Sequence, residues 1–120
     1  MAIGRRRIKE SLTGMHLTIR LVGRNIIDPG EVTKTVDEIK SAIKEARAKV
    51  IVLDFANVYQ VSSQMLGQLL YLRTLAKNQG AELRVCGMRG SVLKAFKVCR
   101  MQKVIPLFKD ETHAIKDLTE

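Results

Sequence analysis

The chain has 120 residues, of which 46% are hydrophobic and 28% charged, and a formal net charge of +9. That length suits one domain over residues 1–120, able to bury somewhat under about 70% of its unfolded surface. No run approaches the roughly 20 apolar residues of a membrane span, and the N-terminus lacks the apolar core of a secretory leader, which leaves a cytoplasmic protein as the expectation.

The charge is unevenly placed. Residues 1–27 carry six basic and one acidic side chain, 28–72 five and six, 73–109 nine and one, and 110–120 one and four. Two basic zones therefore bracket a near-neutral middle. The first, residues 1–9, contains Arg5-Arg6-Arg7 and Lys9. It reads as a solvated, partly flexible segment leading into an edge strand, or as a surface for nucleic acid or anionic membrane.

Ile8 to Leu12 and Met15 to Leu21 read as two strands about a Thr13-Gly14 turn. In the second, Leu17, Ile19 and Leu21 alternate with His16, Thr18 and Arg20, so one face is apolar. Asp28-Pro29-Gly30-Glu31 is a helix start: Asp as cap, Pro at the first helical position, Glu placed to reach back to the cap. The helix buries Val32, Val36, Ile39 and Ile43. Val50 to Leu53 is a β-branched, apolar run of the kind a strand covered on both faces needs. Asp54 ends that strand. A lone carboxylate makes no mechanism, and it is expected to hydrogen-bond loop amides near Asn57 and the Ser62-Ser63 turn.

From Met65 the apolar period changes: Met65, Leu66, Leu69, Leu70, Leu72, Leu75 and Ala76 mark one helix face, and Gly80 ends it. Ser62 and Ser63 lie where strand pattern gives way to helix pattern, so one of their hydroxyls is the N-cap. The first turn of a helix carries partial positive charge and unpaired N–H groups, so an anion there is accommodated. Glu82 to Cys86 is the next strand. The following Gly87-Met88-Arg89-Gly90-Ser91 lacks the spacing of a phosphate loop and reads as a tight turn with Ser91 as N-cap. The helix from Val92 to about Cys99 is expected to bury Val92, Leu93, Phe96 and either Cys99 or Val98. It displays Lys94, Lys97 and Arg100, which with Arg89 and Lys103 form a basic stripe lacking interleaved aromatics. Val104 to Phe108 is a last strand, at an edge because of Pro106. Asp110-Glu111-Thr112 opens a closing helix through Ala114, Ile115 and Leu118. Cys86 and Cys99 have no metal or redox spacing and read as buried apolar residues. The sum is an α/β sandwich: a mixed sheet of about five strands with four helices mainly on one face.

The succession Val50–Leu53, Asp54-Phe55-x-x-Val58, Ser62-Ser63, amphipathic helix, Gly80, Glu82-Leu83-Arg84-Val85-Cys86-Gly87 resembles a STAS domain, the fold of anti-sigma factor antagonists. The resemblance runs from about Leu17 to Leu118. Members that work by partner switching carry Asp-Ser-Ser-Gly-Leu at the hinge, and the serine after the Asp is phosphorylated. Here the window is Val61-Ser62-Ser63-Gln64-Met65, so the resemblance implies Ser62 as the acceptor, with Ser63 second. It also implies a docking surface of Val61, Ser62, Ser63, Gln64, Met65 and Gln68, and as partners a serine kinase of anti-sigma factor type and a phosphatase.

The chain offers no metal cluster, no paired acid and base, and no nucleophile beside a histidine, so an enzyme is not expected. Neither a metal nor a cofactor is expected, and the state is a monomer or weak dimer. The leading expectation is a binding module switched by serine phosphorylation, which adds roughly −1.5 to −2 charges to a docking surface. Two alternatives stand beside it. One is a STAS scaffold that does not switch. The other is a basic adaptor that binds nucleic acid, an acidic protein or anionic lipid through Arg5 to Lys9 and the Lys94, Lys97, Arg100 stripe.

Overall fold

The computed structural model describes residues 6–118. Arg5 and the four residues before it lie outside the described residues, so of the basic N-terminal segment only its end can be placed. A five-stranded sheet has the order β1 (Ile8–Thr13), β2 (His16–Leu21), β4 (Val50–Asp54), β6 (Glu82–Cys86), β7 (Leu107–Phe108). β1 and β2 form an antiparallel hairpin and the other neighbours pair in parallel. A separate two-residue ladder joins β3 (Asn25–Ile26) and β5 (Gln60–Val61).

The period-two pattern of the central strands divides their side chains between two cores. Ile51 and Leu53 of β4, with Leu83 and Val85 of β6, meet α1 (Pro29–Ala46), α2 (Ser63–Asn78) and α3 (Gly90–Val98) in the larger cluster. Val50, Val52 and Cys86 point the other way, against Ala114 and Ile115 from α4 (Glu111–Ala114) and its C-terminal flank. A mixed sheet of five strands with three helices on one face and one on the other is the expected layout. Asp28 caps α1 through a 3.1 Å bond from the Glu31 N–H, as its sequence predicts. The Glu31 carboxylate does not reach back. It takes Arg7 Nε at 3.0 Å instead, and Arg7 Nη1 lies 3.4 Å from Glu38. Arg7 is thus committed to fastening β1 to α1 rather than to an outside anion.

Several local expectations are corrected. α2 buries Met65, Leu66, Leu69, Leu72 and Ala76, whereas Leu70 is exposed and Leu75 half-buried, because a 16-residue helix resting on a sheet needs a narrower stripe. Arg89, not Ser91, precedes α3, and no side chain caps that helix. Val98 and Cys99 both face outward, since α3 ends there and the chain turns left-handed at Arg100 (φ 57°). Cys86 alone of the two thiols is buried, and burial, reinforced by nearby Asp54, pushes it up from its ordinary range. The expected strand at Val104 to Phe108 is a 3-10 turn at Met101–Lys103 followed by only two strand residues. The closing helix is one turn, followed by a second 3-10 turn at Lys116–Leu118. That end is fastened by Arg84, which donates to the Ala114 carbonyl at 2.6 Å and to both Asp117 oxygens at 2.8 and 3.0 Å.

The tightest backbone approach is at Gly87, past the end of β6. Its φ is +75°, and a Cβ there would lie 2.6 Å from Asp54 Oδ1 and 2.8 Å from Ala56 N. Gly14 in the hairpin turn also has positive φ but nothing within 4 Å. Gly87→Ala should therefore cost at least about 2 kcal/mol in a denaturant titration, against about 1 kcal/mol for Gly14→Ala. Equal costs would show that the loop gives way around Asp54.

Candidate functional site

The segment between β4 and α2 is held on three sides. Asp54 Oδ1 accepts the Ala56 N–H at 2.9 Å, and its Oδ2 takes Arg20 Nε at 3.2 Å, so the carboxylate is a buried anchor for the start of the loop, the structural role its position suggests. Val58 closes a turn onto the Phe55 carbonyl at 2.9 Å, with both side chains fully buried. From Tyr59 the chain runs beside residues 24–26: Tyr59 and Gln60 donate to the Arg24 carbonyl at 2.7 and 3.1 Å, and Ser62 donates to the Ile26 carbonyl at 3.1 Å. Ser91 Oγ donates to the Tyr59 carbonyl at 3.1 Å, which ties the same segment to α3.

These bonds deliver Ser62 to the N-terminus of α2 in an extended conformation (φ −81°, ψ 163°). Its Oγ accepts the Met65 N–H at 3.1 Å and its carbonyl accepts the Leu66 N–H at 3.1 Å. Ser62 is thus the N-cap, half-buried, and Ser63 is the exposed first helical residue. The hydroxyl oxygen sits where the helix dipole and the unpaired first-turn N–H groups stabilise negative charge.

The six residues of the expected docking surface separate by exposure. Ser63 and Gln64 are exposed; Val61, Ser62 and Gln68 are half-buried. Met65 is corrected: it is 0% exposed and belongs to the core. An N-cap serine aims the third helical residue at the sheet, so Met65 supports the surface from beneath and cannot touch a partner. Gln64 and Gln68 turn toward α1, where with Val32, Val36, Lys40 and Tyr71 they line a shallow groove of about 240 Å³. A wider depression of about 600 Å³ opens at the carboxyl ends of β4 and β6. Its charges are balanced, with Arg20, Arg89 and Lys109 facing Asp54, Asp110 and Glu111.

One constellation escaped the sequence reading. The Tyr59 ring is half exposed and has two guanidinium groups near it, Arg24 at 5.7 Å and Arg89 at 5.0 Å from its centroid. Three residues from three separate segments make it, and no spacing in the chain announces them. Among the described residues no group of three or more His, Cys, Asp or Glu side chains is placed to hold a metal, and no helix is long and apolar enough to cross a membrane.

Comparison with known proteins supplies the context. A family model described as the STAS domain matches residues 8–114. A curated relative, the anti-sigma F factor antagonist of Paenibacillus polymyxa, is 26% identical over 81 residues, 68% of this chain and 69% of that protein. Among solved structures, the anti-sigma factor antagonist SpoIIAA in its unphosphorylated form superposes with a TM-score of 0.74 at 18% identity, covering 92% of this chain and 95% of that one. The Bacillus cell fate determinant SpoIIAA in the phosphorylated form gives 0.65 at 16% identity, covering 92% and 98%. At these identities the structural likeness speaks for the fold.

Removing the cap should be felt at one serine only. Ser62→Ala should lower stability by about 1 kcal/mol, the usual cost of losing an N-cap hydroxyl, while Ser63→Ala should stay within about 0.5 kcal/mol of the wild type. Paired denaturant titrations read this directly, and a larger loss at Ser63 would reassign the cap.

Proposed function

The chain belongs to the STAS domain family, and on that premise we propose that it is a non-enzymatic regulatory module of the anti-sigma factor antagonist type, switched by phosphorylation of Ser62. The observation that carries this reading is the Ser62 hydroxyl at the N-terminus of α2, fixed by the Ile26 and Met65 bonds and reachable from solvent. Unmodified, the surface around Val61, Ser62, Ser63, Gln64 and Gln68 docks on a serine kinase of anti-sigma factor type. A phosphate on Ser62 adds roughly −1.5 to −2 charges and bulk at a flush surface, so docking loses both fit and the ability to shed water. The fold itself survives, because the helix terminus favours an anion at that point. A phosphatase resets the state.

Supporting this reading, the curated relative bears the name of an anti-sigma factor antagonist, and a structural relative has been solved both with and without phosphate. The chain departs from the switching members at two flanks of the serines, Val61 for Asp and Gln64 for Gly. Val61 is half-buried against the core and paired with Ile26. It contributes to holding the hinge, and a docking surface that never switches is the second reading.

Incubation with ATP and a serine kinase of anti-sigma factor type from the same genome, followed by intact-mass measurement, separates the two. The switch predicts the mass of one phosphate on wild type and on Ser63→Ala, and none on Ser62→Ala. A gain that vanishes only in Ser63→Ala moves the acceptor by one residue. No gain in any of the three leaves the constitutive docking module.

A further inference from the structure

We propose that Arg24 and Arg89, both held against the Tyr59 ring, are the anchor by which this chain docks on an acidic protein surface. This deepens the reading of Ser62 as a switch beside a docking face and rests on it for the regulatory part. Four observations carry it. Arg7, Arg20 and Arg84 are each matched to carboxylates, whereas among the described residues Arg24 and Arg89 form no ion pair and lie against the Tyr59 ring. Two like charges held at one ring leave their guanidinium edges available as bidentate donors, a geometry that matches carboxylates.

The flanking sequence is one-sided, although Arg89 also borders the charge-balanced depression that holds Asp54, Asp110 and Glu111. Between positions 55 and 109 the chain has a single acidic residue, Glu82, against nine basic ones. Asp28, which follows β3, is occupied as the cap of α1. On the helix that Arg89 opens, the outward face adds Lys94, one turn from Ser91. Ile27, 46% exposed, follows β3. Charged forks around an aromatic with an exposed apolar neighbour are the residue types that dominate binding energy at protein interfaces.

The backbone beneath the cluster is also fixed before any partner arrives. The Tyr59 N–H is held by the Arg24 carbonyl at 2.7 Å and its own carbonyl by Ser91 at 3.1 Å, so little backbone freedom remains to be lost on docking. Finally, the composition disfavours nucleic acid. Aromatic residues make up only 4% of the chain, and stacking on successive aromatics is what single strands need.

The position explains how a switch would act. Ser62 is three residues of extended chain from Tyr59, about 10 Å, just beyond the roughly 8 Å screening length at physiological salt, so a charge there is felt at reduced strength and more strongly at low salt. A phosphate on Ser62 places about two negative charges beside the pair. It therefore weakens the attraction for an acidic partner as well as blocking the surface.

The test is a titration of the isotopically labelled full chain with acetylated hexaglutamate at low salt, followed by amide and guanidinium NMR signals. Shifts should concentrate at Arg24, Tyr59 and Arg89. The double variant Arg24→Gln/Arg89→Gln should bind at least about fivefold more weakly, in line with the loss of two exposed charge pairs. Arg24→Lys/Arg89→Lys should keep part of the affinity, and Arg47→Gln/Lys77→Gln, on remote basic positions, should keep all of it. Shifts spread evenly over the basic surface, or an unchanged glutamine double variant, overturn the proposal. So does tighter binding of an oligothymidylate, or of phosphatidylserine vesicles, to the same residues under the same conditions. Ser62→Glu separates the two ideas. If it binds hexaglutamate as the wild type does while the glutamine pair fails, the anchor stands without the switch. If it weakens binding while the glutamine pair does not, the switch stands without this anchor.

Discussion

The parallel ladder between Asn25–Ile26 and Gln60–Val61 decides where the proposed docking surface lies. Without it, the chain from Gln60 to Val61 would lack its backbone partners, and the entry into α2 would be held only from the Phe55–Val58 turn. With it, the Ile26 carbonyl fixes the Ser62 N–H, and the capping bond to Met65 follows one step later. Backbone bonds thus set the position of a side-chain hydroxyl. The same ladder brings Arg24 to Tyr59, so the cap and the cation pair share one scaffold.

The division of labour around Ser62 follows from burial. Val58 and Met65, on either side, are fully buried, and Phe55 fills the core beneath the loop. Each such side chain contributes about 1.5–3 kcal/mol of transfer free energy, so the segment is anchored from below. What remains on top is polar and small: Ser62, Ser63 and Gln64. A surface of this kind tolerates a charged substituent without unfolding, because nothing in the core depends on its exposed atoms. The helix terminus supplies the compensating field.

Long periodic stretches were legible in the sequence. The alternation of Leu17, Ile19 and Leu21, the apolar run of β4 and the Asp28 cap each rest on local chemistry that tertiary context did not overrule. The serine cap was legible to within one residue. The missed parts lacked a period or a local partner. β3 and β5 have two residues each, too few to show alternation. Ser91 carries a capping residue's chemistry but bonds to a carbonyl 32 positions away. The apolar period places Met65 on the buried face, where it lies; only the docking role implied by the hinge window fails, because the cap geometry turns it inward. Arg24, Tyr59 and Arg89 meet only through the fold.

The account rests on the claim that a phosphate at Ser62 is accommodated by the fold and felt at the docking surface. The most direct measurement places phosphoserine at position 62 and compares thermal unfolding and amide chemical shifts with the unmodified chain. The account predicts a cooperative transition with stability changed by no more than about 1 kcal/mol. Shift changes should be confined to the first turn of α2 and the Arg24–Tyr59–Arg89 cluster. Loss of cooperative unfolding, or shift changes spread through the sheet with none at the cluster, would contradict it.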